Sequence, residues 1–323
     1  MTEQYVAPRF RPLVDVQRAH ETELLNRPQV VGVALGHKVT GGRDTGERAI
    51  TVLVTRKLPA GSVTPEDLVP PVVDGVPTDV QEVGEIRAGS PTLASAEALR
   101  QRMRPAFGGL SVGHVKVTAG TLATCCYDAA SFPGSPSRYY LLSNNHVLAN
   151  SNNASPGDPI LQPGAADGGT APGDVIGRLA RFVPIAFLDS GPPRTNLVDA
   201  AIAEAPFQDL DRRIYWTGTV RRVRSAPTVG DLVQKCGRTT NFTTGRVLHV
   251  NATVDVNYGA AGVARFTEQI LTTTMSAPGD SGSLVTDLDE QAVGLLFAGS
   301  ATVTVVNHIA HVESLLGIRI AEG

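Results

Sequence analysis

Ser281 stands in the run Ala277-Pro-Gly-Asp-Ser-Gly-Ser283, between two glycines that allow a tight backbone turn. Such a turn can aim the amide N–H groups of Gly279 and Ser281 at one point, as an oxyanion needs. A serine hydroxyl is a poor nucleophile at neutral pH. Acyl transfer therefore also needs a histidine to take its proton and a carboxylate to orient that histidine. Two further segments supply candidates. Tyr139-Tyr-Leu-Leu-Ser-Asn-Asn-His-Val-Leu-Ala149 reads as an apolar strand ending in a polar turn that presents His146. Asn196-Leu-Val-Asp-Ala-Ala-Ile-Ala203 sets one carboxylate, Asp199, in an apolar strand, where a buried acid calls for a partner such as an imidazole N–H. Gly-Asp-Ser-Gly alone is equally an ordinary turn, since its residues are common turn formers. The weight lies on the joint occurrence of histidine, aspartate and serine in that chain order.

That order and these motifs resemble the chymotrypsin/trypsin-like serine peptidases rather than subtilisins or α/β-hydrolases. The Ser-Asn-Asn-His-Val stretch, the Val-Asp-Ala-Ala-Ile strand and Cys236-Gly-Arg-Thr-Thr-Asn-Phe-Thr-Thr-Gly245 are most similar to bacterial trypsin-like peptidases related to the plant protein Narrow Leaf 1. The resemblance covers residues 106 to 318. It implies two six-stranded β-barrels with the site between them, a catalytic triad of His146, Asp199 and Ser281, and an oxyanion hole from the Gly279 and Ser281 amides. It also puts the floor of a substrate pocket at Met275, six residues before the serine, with a wall of Phe297, Ala298 and Gly299. A preference for apolar side chains follows.

The departures are specific. Asn145 replaces the alanine usual before the histidine. No Ile-Val-Gly-Gly type N-terminus precedes the domain, so Asp280 must be satisfied by something other than a freed amine, and no zymogen switch of that kind is expected. The rival to a serine endopeptidase is a protease-like scaffold that binds a protein or peptide partner, with turnover absent or gated. An α/β-hydrolase fits poorly, because residue 283 is serine where the nucleophile elbow needs glycine.

The elements that must position these residues are mainly β. With 33 Gly, 22 Pro and many β-branched residues, the chain reads as short strands between turns, especially after residue 106. Helices are expected from Pro12 to Asn26, near Ala94 to Met103, and from Ile309 to Leu316. Alternating Val31, Val33, Leu35 and Ile50, Val52, Val54 predict a hairpin with a loose tip over residues 41–46, and residues 80–86 a third strand. The organisation expected is a small α+β module over 1–105, then a peptidase domain over 106–323 with barrels at 106–210 and 211–323.

The whole chain has 323 residues, 42% apolar, which suffices for a sizeable core. Its 28 basic and 31 acidic residues include no run able to track a phosphate backbone, so no nucleic-acid partner is expected. No stretch reaches the roughly 18 apolar residues of a membrane span. Three cysteines and no secretory signal suggest a cytoplasmic, disulfide-free protein. The histidines lack metal-ligand spacing, with His308 and His311 expected at the surface or as caps, so neither metal nor cofactor is expected. The partner expected is a protein or peptide substrate. A homo-oligomer is a further implication of the resemblance.

Overall fold

The computed structural model describes residues 6–87, 97–191 and 195–322. The first helix is Arg11–Leu25, with proline in its first turn and Leu13, Val14, Gln17, Leu24 and Leu25 on its buried face. It docks on a hairpin of Val30–Thr40 and Arg43–Val54. The tip is tighter than the sequence suggests. Gly41 and Gly42 both take positive φ, the geometry of a two-residue hairpin turn, so pairing runs on to Thr40 and Arg43. The third strand is Val76–Glu82, parallel to Arg43–Val54, a few residues earlier than its alternation suggests. Of the helix expected near 94–103, residues 94–96 lie outside the described residues, and Glu97–Arg100 form one 3-10 turn.

Two β systems follow. In the first, Tyr139–Ser143 lies beside Ala201–Ala205, and the sheet continues through Val175–Phe182 and Pro159–Leu161 to Ser111–His114. In the second, Leu232–Gly237, Leu284–Asp287, Gln291–Gly299, Val303–His308, Val263–Thr273 and Asn241–Asn257 pair in that order. Pairing of Leu232–Gly237 with Asn241–Asn257 closes this ring into a six-stranded barrel. The fold is therefore mainly β, as the sequence indicates.

The strand Asn241–Asn257 does double duty. Its first part pairs inside the barrel, and around Val250–Val254 it pairs antiparallel with Val30–Thr40, which makes the N-terminal strands an extension of the barrel sheet. The side chains agree: Val33, Leu35, Ile50 and Val52 share one core cluster with Val233, Val247, Val285 and Val306. Each such buried side chain contributes about 1.5–3 kcal/mol relative to exposure. At the other end, the helix Ile309–Leu316 and strand Ile318–Arg319 return to the first β system, pairing with Cys125–Asp128.

Cys125, Cys126 and Cys236 are free and buried. Burial pushes the thiols of Cys125 and Cys236 up to about 12 and that of Cys126 well above its ordinary value, so they stay protonated. His308 and His311 are buried rather than at the surface, because His308 ends a core strand and, as N-cap, turns it into the last helix. Among the described residues, no helix is long and apolar enough to cross a membrane.

Candidate active site

The strand Tyr139–Ser143 pairs with Ala201–Ala205 so that Ser143 lies opposite Ala201. This pairing brings together the polar residues at the two strand ends. His146 sits on the single helical turn Asn145–Leu148, anchored by buried Val147 and Leu148. Its ring Nδ1 is 2.6 Å from Asp199 Oδ2 and its backbone N–H donates to Asp199 Oδ1 at 3.1 Å. The Tyr258 hydroxyl donates to the same Oδ2 at 2.8 Å. Asp199 is fully buried, and these three donors replace the water it has lost. Burial and the adjacent carboxylate push the Tyr258 phenol well above its ordinary value, which keeps it a donor. An imidazole that donates from Nδ1 leaves Nε2 as an acceptor. Behind the carboxylate, Asn307 accepts from the Asp199 amide and Asn144 donates to the Asp199 carbonyl.

Ser281 leaves a tight turn. The Asp280 amide donates to Ala277 O at 3.0 Å, with Pro278 and Gly279 between them and Gly279 at φ +90°. Proline followed by a positive-φ glycine is the signature of a type II turn. Two threonine hydroxyls hold the peptide units around Gly279: Thr239 donates to Pro278 O at 2.6 Å and Thr121 to Gly279 O at 2.7 Å. In a trans peptide the N–H points opposite to the C=O, so fixing the Pro278 carbonyl also fixes the Gly279 N–H. Among the described residues, the Gly279 and Ser281 amides donate to no protein acceptor. Gly282 is required on two counts, its φ of +97° and the 2.1 Å that would separate a Cβ from Ser143 Oγ and from Thr121 O.

Backbone contacts carry Ser281 to the histidine side of the site. Its carbonyl accepts from Thr121 N at 2.7 Å, and a Cβ on Gly120 would meet both Val147 and the Ser281 carbonyl. The serine hydroxyl itself donates to Phe297 O at 3.3 Å. His146 and Asp199 are thus joined directly, while Ser281 lies near them with its hydroxyl turned to Phe297. Rotation about its single χ1 is the movement that would redirect it.

Asp280 has found its substitute for a freed amine. Lys235 Nζ lies 3.1 Å from Asp280 Oδ2, both side chains fully buried. The Thr239, Thr240 and Ala277 amides and the Thr240 hydroxyl also donate to this carboxylate. Burial lowers the Lys235 pKa, and Asp280 opposes that shift. Replacing Lys235 with methionine is expected to destabilise the fold by about 3–5 kcal/mol, because it strands a buried carboxylate. The urea midpoint would report this, and adding Asp280→Asn should restore much of the loss. Lys235 escaped the sequence reading although alternation in Leu232–Gly237 puts it on the inward face with Val233. Thr239 and Thr240 form the turn between Leu232–Gly237 and Asn241–Asn257, and their bonds to Asp280 and Pro278 are an additional role.

The remaining sequence-chosen residues divide. Met275 joins the core cluster of the second barrel, its sulfur packed over Gly245. Phe297 is buried against Phe266 with ring centroids 4.7 Å apart, and Ala298 is buried beside it. Gly299 faces Ser276, whose Oγ lies 3.3 Å from where a Cβ would stand.

No family model matches the chain. Serine protease 2 of Streptomyces fradiae is 39% identical over 93 residues, which are 28% of this chain and 45% of that relative. The chain is similar to a serine protease. The match spans less than half of the relative's length. Among solved structures, Thermobifida fusca protease A superposes with TM-score 0.47 at 18% identity, over 67% of this chain and 98% of that one. Nocardiopsis protease superposes with TM-score 0.47 at 19% identity, over the same shares.

Proposed function

We propose that the protein is a serine endopeptidase that cleaves peptide bonds of protein substrates through an acyl-enzyme. The observation that carries this reading is the site's arrangement: an Asp199-held imidazole beside a turn that offers the Ser281 hydroxyl and two amides without acceptors among the described residues. In the reaction, Ser281 Oγ attacks the scissile carbonyl carbon while His146 Nε2 takes its proton. The carbonyl oxygen becomes an oxyanion between the Gly279 and Ser281 amides, and Asp199 stabilises the imidazolium. His146 then returns the proton to the leaving amine. Water attacks the acyl-serine by the same route in reverse, releasing the second product and restoring the serine.

Similarity to Serine protease 2 supports this assignment, and so does Asp280, which Lys235 holds in place without an N-terminal amine. Phe297 and Ala298, next to the serine, lie in apolar surroundings, and on them, without Met275, which packs into the barrel core, we assign an apolar preference for the residue beside the cleaved bond. A small activated ester tests the chemistry apart from substrate length. With p-nitrophenyl acetate, a burst of about one nitrophenol per chain is expected and should vanish in His146→Ala. An unchanged burst in the variant would contradict the proposed base.

A further inference from the structure

The strand end Phe297–Gly299 is the backbone next to the nucleophile. Phe297 O accepts from Ser281 Oγ, and Leu296 exchanges bonds with Gly282 and Ser283. One side of this strand is paired, Ala298 with Val305 and Gly299 with Thr304. The amide and carbonyl of Gly299 point to the other side, as an open sheet edge would. Such an edge captures an extended polypeptide by main-chain hydrogen bonds.

In this molecule the edge is taken by the chain itself. Arg87 N donates to Gly299 O and Gly299 N donates to Arg87 O, each at 3.1 Å, an antiparallel bridge. Neighbouring contacts fix the segment. Ile86 is buried in the cluster that contains Phe297, and its carbonyl accepts from Asn257 N. Glu85 accepts from Asn257 Nδ2 and pairs with Arg87, and Ser300 and Thr302 both donate to Val83 O. The direction matters. In an antiparallel pairing, a peptide whose one residue faces Gly299 places its second residue onward against Phe297, beside Ser281. An extended substrate laid along this edge would need both Gly299 hydrogen bonds that Arg87 now holds.

We infer that the segment Val83–Arg87 is a built-in competitor for the extended-peptide edge at Gly299, so that the enzyme binds polypeptide substrates only when its own chain leaves that edge. This rests on Ser281 being the nucleophile. It joins the two readings of the sequence, an intact site and a gated one.

Hydrogen exchange on the whole wild-type chain tests it directly. The Arg87 amide should be protected in the free protein and lose protection when a tetrapeptide boronate fills the site, while the Gly299 amide stays protected. An Arg87 amide equally protected with the boronate bound would overturn the inference. Arg87→Pro supplies a second test, because it deletes the donor to Gly299 O while its side chain lies at the surface. Its kcat/KM for a tetrapeptide amide should rise about tenfold, the worth of one lost hydrogen bond in the competing segment, mainly through KM. Fluorophosphonate labelling, which does not use the edge, should stay within about twofold of wild type on the same ground. Equal peptide kinetics in the two proteins, with both labelled, would again overturn it. Failure of the reagent to label any form would instead remove the nucleophile, and the competitor with it.

Discussion

Replacing Ser281 with alanine is expected to lower turnover by on the order of 10⁶-fold, because nucleophile and base act as a unit and neither works alone. His146→Ala should cost about as much, and Ser281→Ala with His146→Ala little more than either, since the first loss already stops covalent catalysis. Both variants should fold. The Ser281 hydroxyl makes one long bond, to Phe297 O, and the His146 ring is partly exposed, so neither side chain is a mainstay of the core. The measurement is kcat on an activated ester, which avoids the occupied peptide edge. Residual turnover near the wild-type value in either single variant would contradict the assignment.

Asp199→Asn is expected to lower kcat by about 10⁴-fold with KM changed far less, through the tautomer of His146. The carboxylate accepts from His146 Nδ1 and leaves Nε2 free to take a proton. An asparagine that keeps accepting from the His146 amide at Oδ1 would put its NH₂ where Oδ2 stood, facing both Nδ1 and the Tyr258 hydroxyl, which drives the ring proton onto Nε2 and takes from Tyr258 its acceptor. The geometry would survive while the base is lost. A pH–rate profile separates this from simple misplacement, since raising pH should recover little in the variant. Tyr258 makes the site more demanding than a three-residue arrangement, because its phenol stays protonated and must find an acceptor.

Much of this architecture can be read from residue patterns. The helix Arg11–Leu25 follows from its proline start, and the hairpin from alternating valines. His146 and Asp199 draw notice because each stands beside an apolar stretch, and they meet because the strands next to them, Tyr139–Ser143 and Ala201–Ala205, are partners. Lys235 was legible by alternation, since its face of the strand is otherwise apolar, yet a lysine suggests solvent until its buried partner is known. Tyr258 gives no such sign: its bond to Asp199 joins residues far apart in sequence, and only the fold brings them together. The pairing of Arg87 with Gly299 is hidden for the same reason: the strand expected over residues 80–86 gives no sign of the distant residue that meets its end. Met275 shows the opposite limit. Its place six residues before the serine marks a pocket floor by resemblance, while its side chain packs into the barrel core over Gly245.

The central claim is that Ser281 is a nucleophile activated by His146 and Asp199. The whole chain, treated with a fluorophosphonate, digested and mapped by mass spectrometry, should carry one adduct, on Ser281, and the adduct should be absent from Ser281→Ala and strongly slowed in His146→Ala. An adduct on another residue, or labelling that persists in Ser281→Ala, would contradict it.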